Sequence, residues 1–493
     1  MSFQHRRHVG THELFSRDTT QLYARDDCEP ADPLNTLTDR LNTLLNSSGP
    51  GYTLPLCPDT QYYIQAPIAF FAPNQEISTV GYPTGEERAT LVVSGPVSLG
   101  SGHTTAIDGT CLNCSGVKLR NIQINGTRLG ASPTNGGANI EMGGPNSNQL
   151  IEYVRSYDPR SWSCLHIAEG SLNCNNATVQ NNDIGPCGSD TFQEWADGIS
   201  LSCRNSLVRN NTIGDPTDGG IVIFGSPGSL VENNTIFVEN STLLGGINLV
   251  DYDPFNGDYT GTVVRNNMIM GGFADDKPEG SDQKGVNDED AIIKIGIAIG
   301  PRTWFGPRYG ENVSVSGTVI NNQLTGAFGY GIAMSSAKNF TVENNVLTGN
   351  TSFIGARGPN CSQIDTTPTP APFVVDWNLT TSSTTQTDFQ NITDGDGLTC
   401  ILPPDGGDYW PFGGNPGLPT GGGSSQSDNN GSSGSLSGGA KAGIAIAVIL
   451  GVAALGAGAW FIRKWALKRN AAKDTQPWNR QGYIASKEDF ARP

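Results

Sequence analysis

A chain of 493 residues with a formal charge of −17 and only 16% charged residues holds one large elongated domain or two to three ordinary ones. So acidic a body repels phosphate backbones, which excludes nucleic acid as a partner and leaves neutral glycans, basic ligands or divalent cations. Glycine, at 63 residues, is nearly twice its ordinary share, and Val, Ile and Leu stand singly between polar residues, a pattern of short strands and turns rather than amphipathic helices.

Residues 1–27 contain no apolar stretch. A chain exported with the topology argued below needs a cleaved N-terminal signal, so the natural start is expected upstream. Next come Leu34, Leu37, Leu41, Leu44 and Leu45 at helical spacing, ended by Ser47-Ser48-Gly49-Pro50-Gly51. They predict a short amphipathic helix that caps the first edge strand of the domain behind it.

Ten cysteines all lie outside the basic tail, and the histidines (His5, His8, His12, His103, His166) lie mostly elsewhere. Disulfides in an oxidising compartment fit this better than a metal site. Sequential pairing is expected: Cys28/Cys57, Cys111/Cys114, Cys164/Cys174, Cys187/Cys203 and Cys361/Cys400. About fourteen Asn-X-Ser/Thr sites agree with export, among them Asn46, Asn125, Asn176, Asn240 and Asn312. Asn210 and Asn233 fall in a repeat and are expected to escape modification.

That repeat decides the fold class. Val-X-Asn-Asn-X-Ile/Leu, a turn, then Gly-Ile-X-Ile/Leu/Met recurs from Val179-Gln-Asn-Asn-Asp-Ile184 with Gly198-Ile-Ser-Leu201 onward. It returns at Val208, Val231, Val264 and Val319, and Val342-Glu-Asn-Asn-Val-Leu347 closes the series. Each period reads as one coil of short strands, with aliphatic side chains inward and neighbouring coils hydrogen-bonded about 4.8 Å apart. Like residues then stack, and the Asn-Asn turns form a side-chain ladder that satisfies backbone groups at the bend. Glycine before the inward Ile fits a turn or a close approach. Leucine-rich repeats lack their consensus here, and a β-propeller needs longer repeats.

These coils and the leading helix resemble the pectin-lyase-like right-handed parallel β-helix superfamily, in the style of fungal secreted repeat proteins, over roughly residues 34–360. The resemblance implies an all-β, single-stranded right-handed parallel β-helix with an N-terminal capping helix. It also implies the superfamily's range of lyases, hydrolases, epimerases, esterases and inactive binders. The polygalacturonase-like series Asn-Thr-Asp, Asp-Asp, Gly-His-Gly, Arg-Ile-Lys and the Trp-X-Asp-His of pectate-lyase relatives are missing, which weighs against pectin cleavage.

Counting from the first inward Ile of each Gly-Ile strand, odd offsets face solvent. They bring Asp218 and Lys294, then His166, then Glu141, Ser200 and Asn248 to one groove, with Asp251 and Asp253 at the next turn and Arg302 on a later coil. Asp218, Asp251, Asp253, His166, Lys294 and Arg302 are the candidate catalytic residues. Paired carboxylates suit glycoside hydrolysis; a base beside Lys or Arg suits proton removal α to a carboxylate. Plainer roles stand beside these: Asp218 in Asp-Gly-Gly as a turn residue, His166 as an ordinary packed histidine. Asp197 has the opposite parity and is expected to face inward and bond turn amides. The run Asp275 to Asp290 offers oxygen ligands for Ca²⁺, or is a solvated loop. Trp304, Phe305 and Tyr309 either stack on sugar rings or cover the coil edge.

Residues 361–440 read as a Thr/Ser/Pro/Gly-rich stalk whose first half packs on the body. Ala442 to Ile462 carries no charge and is long enough to cross a bilayer, so a transmembrane helix is expected at 441–462. Arg463, Lys464, Lys468 and Arg469 follow at once, and the basic tail 463–493 is placed in the cytoplasm. The domain 28–360 then lies outside a cell or secretory-pathway membrane, as a single-pass protein. The function expected is action on, or binding of, cell-wall or extracellular polysaccharide as a lyase, hydrolase or epimerase. The alternative is a non-catalytic glycan-binding surface protein or adhesin.

Overall fold

The computed structural model describes residues 28–95, 97–98, 101–128, 137–189, 194–272, 291–353, 355 and 369–399. Its strands are short, and nearly all pair in parallel with the strand one winding further along the chain. One sheet of eleven strands runs from Thr53–Leu56 to Thr384–Thr385. Its middle residues register as one column: Ile77, Leu119, Ile151, Val179, Val208, Val231, Val264, Val319 and Val342. Every one is fully buried. A second sheet of twenty strands completes the walls, with columns such as Ile140, Leu165, Ile199, Ile221, Ile247, Ile297 and Ile332. Burying each such side chain contributes about 1.5–3 kcal/mol, and the stacked columns form a single inner core. The chain is a parallel β-helix.

The predicted cap is helix α1 (Leu37–Ser48), entered through a 3-10 turn at Leu34–Thr36. Leu37, Leu41 and Leu45 close the end of the core with no exposure, whereas Leu34 stays outside at 51%. The Asn42 amide donates to the Pro67 carbonyl at 3.0 Å and accepts from the Ala69 N–H at 2.8 Å. It thereby satisfies the edge of the strand Ile68–Ala69. At the far end, pairing runs past residue 360: Phe373–Val375 joins Gln323–Met334, and Gln390–Asn391 joins Phe373–Val375.

The asparagine ladder divides the labour between the two residues of each pair. Asn182, Asn211, Asn234, Asn267, Asn322 and Asn345 are buried. Each of the first five donates its side-chain N–H to the next asparagine's Oδ1 at 2.9 Å. The preceding residues, Asn181, Asn210, Asn233, Asn266, Asn321 and Asn344, sit at φ 54° to 57°. Asparagine tolerates that left-handed turn. Asn210 and Asn233 are therefore exposed, a correction to their expected seclusion in the repeat. The repeat glycines have another reason. A Cβ on Gly198, Gly220, Gly296 or Gly331 would stand 2.5–2.6 Å from a carbonyl oxygen of the next coil, so close approach demands glycine, without positive φ.

Stacking also corrects the disulfides. Cys28–Cys57 and Cys111–Cys114 are as expected, but the next four cysteines pair as Cys164–Cys187 and Cys174–Cys203. Asn175 bridges Arg204 on the adjacent coil, which makes Cys174 and Cys203 register neighbours with Cα atoms 4.9 Å apart. Neighbours in space are one winding apart in sequence. Cys361 and Cys400 lie outside the described residues, as do the segment 441–462, the run Asp275 to Asp290 and the tail. Among the described residues no helix is long and apolar enough to cross a membrane.

Candidate active site

The outward residues between the core Ile and its neighbour form a column of their own. It runs Glu141, His166, Ser200, Val222, Asn248, Ala298 and Ala333, one residue per coil. Its later part is covered. Ala298 and Ala333 belong to a second apolar cluster outside the cylinder, with Ile295, Tyr330, Trp304, Phe305, Ile392 and Leu398. Trp304 and Phe305 come from the short helix α2 (Arg302–Phe305), so these aromatics roof the coils. The earlier part is polar yet also secluded: Glu141 is 5% exposed, Ser200 0% and Asn248 1%.

Within that seam, Glu141 and His166 meet across adjacent coils, Oε2 to Nδ1 at 2.9 Å. The other Glu141 oxygen accepts the Ala138 N–H at 2.7 Å, fixing the carboxylate. A carboxylate at Nδ1 holds the hydrogen there and leaves the basic lone pair of the neutral ring on Nε2. Trp162 stands edge-on to the imidazole, ring centroids 4.9 Å apart. Neither Trp162 nor His166 is fully buried, and there the seam reaches solvent. Glu169 lies just past the His166 strand. Burial pushes its carboxyl up from the ordinary value, His166 and the Ser202 hydroxyl pull it down, and Glu141 adds to the rise. A carboxyl that holds its proton to higher pH beside an oriented imidazole makes an acid–base pair.

Asp197 joins this outer layer, which corrects the inward placement expected from parity. Its Oδ2 accepts from the Ser200 hydroxyl at 2.8 Å and its Oδ1 from the Gly219 N–H at 3.0 Å. Ser200 points outward between the core residues Ile199 and Leu201, so Asp197 must as well. Asp197 is the first residue of the strand Asp197–Leu201, where strict alternation no longer holds. Its bond to a backbone amide is as anticipated.

The other candidates scatter. Asp218 and Lys294 precede Gly219 and Ile295, which align through Gly245; they stand in one line two coils apart, 6% and 2% exposed. Asp251 is buried, and its carbonyl accepts from the Tyr259 hydroxyl at 3.2 Å. Burial and the Asp251 charge drive that phenol well above its usual range. Asp253 is exposed, at the turn. Arg302 grips Asp396 with two hydrogen bonds of 2.6 Å, tying α2 to the C-terminal coil. Of the six, only His166 belongs to the acid–base cluster. Glu169 was missed because the strand ends at Ala168, where parity stops being informative. Among the described residues no three His, Cys, Asp or Glu side chains are grouped to hold a metal ion.

No family model and no curated protein matches the sequence. Solved structures do. An alginate lyase from Paenibacillus sp. is 15% identical, covering 64% of this chain and 95% of its own, at a TM-score of 0.41. The A-module of the Azotobacter vinelandii mannuronan C-5 epimerase AlgE6 is 13% identical over 71% of this chain and 94% of its own, at 0.39. PfbA, a surface adhesin of Streptococcus pneumoniae, is 12% identical over 73% and 87%, also at 0.39. At such scores the likeness carries no argument about activity.

Proposed function

We propose that this chain acts on a polysaccharide through proton transfer at Glu141, His166 and Glu169, as a hydrolase, lyase or epimerase. Its coils wind right-handed, as parallel crossovers do, and its body lies outside a cell or secretory-pathway membrane, tethered by residues 442–462. The observation that carries the chemistry is the 2.9 Å contact between Glu141 Oε2 and His166 Nδ1, on neighbouring coils beside Trp162. Each group has one task. Glu141 orients the imidazole, His166 takes a proton at Nε2, Glu169 returns one, and the Trp162 ring offers a face to a sugar.

Incubating the full chain with a polysaccharide panel, followed by product analysis, tests the reading. One polymer is expected to be cleaved or epimerised. Binding with no product over long incubation would make the protein a glycan-binding surface protein; neither binding nor product would remove the reading altogether. The tether rests on a charge-free run followed by four basic residues. Carbonate washing of membranes from expressing cells should leave the chain in the pellet, and release into the supernatant would refute the anchor.

A further inference from the structure

The eleven-stranded sheet presents two outward rows, one on each side of its buried middle column. One row is polar and satisfies itself. Gln180 donates to Glu152 at 2.7 Å, Arg209 to Gln180 at 3.0 Å and Arg265 to Glu232 at 2.9 Å. The other row is aliphatic: Leu150, Leu207, Leu230 and Val263 register in it with Thr178, and all are half-buried. A sheet face with such a row is open to packing by a second sheet.

Both margins of this sheet carry exposed asparagines in Asn-X-Thr. Where the chain enters, Asn176 and Asn339 stand two residues before the strands Thr178–Gln180 and Thr341–Glu343, and Thr178 and Thr341 complete the motif. Where it leaves, Asn210 and Asn233 directly follow the strands Leu207–Arg209 and Leu230–Glu232, with Thr212 and Thr235 two residues on. The ladder leaves this second pair at the surface. Its buried bonds are made by Asn211 and Asn234, whose amides donate to backbone carbonyls and to the next asparagine. At the entering margin Asn176 donates to the Asn148 side-chain oxygen at 2.6 Å and Asn339 to the Ser316 hydroxyl at 2.8 Å. A side-chain amide carries two hydrogens, so one such bond leaves the other hydrogen for a sugar to replace. The same corner on four other coils lacks the hydroxyl: Asn181, Asn266, Asn321 and Asn344 are followed two residues on by Asp183, Met268, Gln323 and Val346.

We infer that N-linked glycans on Asn176, Asn339 and the Asn210/Asn233 pair flank this sheet and screen its aliphatic row from a second copy of the chain. This step rests on the proposed placement of the body outside the membrane. A lipid-linked diphospho-oligosaccharide supplies the sugar. The amide nitrogen bonds to its C1 and loses one proton, and the bond from C1 to the phosphate oxygen breaks with the electron pair left on the phosphate. The product is bulky and hydrated, and it holds an incoming sheet away from the row between the two margins. Asn210 and Asn233 stand on successive coils, about 4.8 Å apart, so a glycan on either covers the same margin.

Enzymatic release of N-glycans in heavy-oxygen water turns each occupied asparagine into a labelled aspartate. Peptide mapping then reads the label on the full chain purified from a glycosylating eukaryotic host. Label is expected at Asn176, at Asn339 and at one or both of Asn210 and Asn233, with none at Asn181, Asn266, Asn321 or Asn344. Label at Asn240 or Asn378 with none at either margin of the sheet would overturn the inference and leave the external placement standing. No label at any asparagine would remove that placement and the inference with it. Screening has its own readout. Thr178→Ala, Thr212→Ala, Thr235→Ala and Thr341→Ala together should keep the far-ultraviolet spectrum, yet self-associate at a concentration at least tenfold lower. Trimming the native chain's glycans to their first sugar should do the same without any substitution. Adding Leu207→Thr and Leu230→Thr to the fourfold variant should restore the monomer. Association unchanged by both the substitutions and the trimming would show that glycans do not guard the sheet.

Discussion

Asn234→Ala is expected to destabilise the chain by about 3–5 kcal/mol. The Asn234 oxygen accepts the Asn211 backbone N–H at 3.1 Å and the Asn211 side-chain N–H at 2.9 Å. Its own amide donates to the Val208 carbonyl at 3.1 Å and to Asn267 at 2.9 Å. Alanine leaves the Asn211 backbone N–H and the Val208 carbonyl without these partners and removes one bond each from the Asn211 and Asn267 amides, in a position only 1% exposed. Each buried orphan costs about 1–3 kcal/mol. Replacing the neighbouring, exposed Asn233 removes no ladder bond and costs only the strain of its φ of 56°, about 1 kcal/mol. Urea unfolding of the two variants separates them. An Asn234→Ala midpoint close to that of Asn233→Ala would show that the ladder contributes nothing.

Turnover on the glycan found by the panel should fall about 10²–10⁴-fold in His166→Gln, the ordinary contribution of a positioned acid or base. Glu141→Gln keeps the shape and the contact with Ala138 yet loses the negative charge that holds the tautomer. A smaller loss is expected there, about 10–100-fold. The two changes should not add. Once the imidazole is gone, nothing remains for Glu141 to orient, so the double variant should match His166→Gln alone. Additive losses would assign Glu141 an independent role, and unchanged turnover in His166→Gln would remove the site. Unfolding curves of the variants guard against a trivial loss of fold.

The coil stack was legible because its cause is local. A period of about one winding, with Val, Ile and Leu at fixed places and Asn-Asn between them, buries its apolar side chains only when like stacks on like. Leu37, Leu41 and Leu45 announced the cap by their spacing. The candidate site was legible in part: alternation correctly brought Glu141, His166, Ser200 and Asn248 into one outward column. It failed at Asp197 and Glu169, because one begins a strand and the other lies just past the end of one, where the period of two no longer applies.

What the sequence determined by itself is thus the repeating wall of the cylinder, its polarity pattern and the helix that closes it. Which cysteines meet, which asparagine of each pair is buried, and which carboxyls gather at His166 were decided only by tertiary structure. These depend on contacts between residues a full winding apart, and on how segments such as α2 and residues 392–398 cross the outer face. Periodicity fixes neighbours along a column, but the path of the irregular chain selects what covers it.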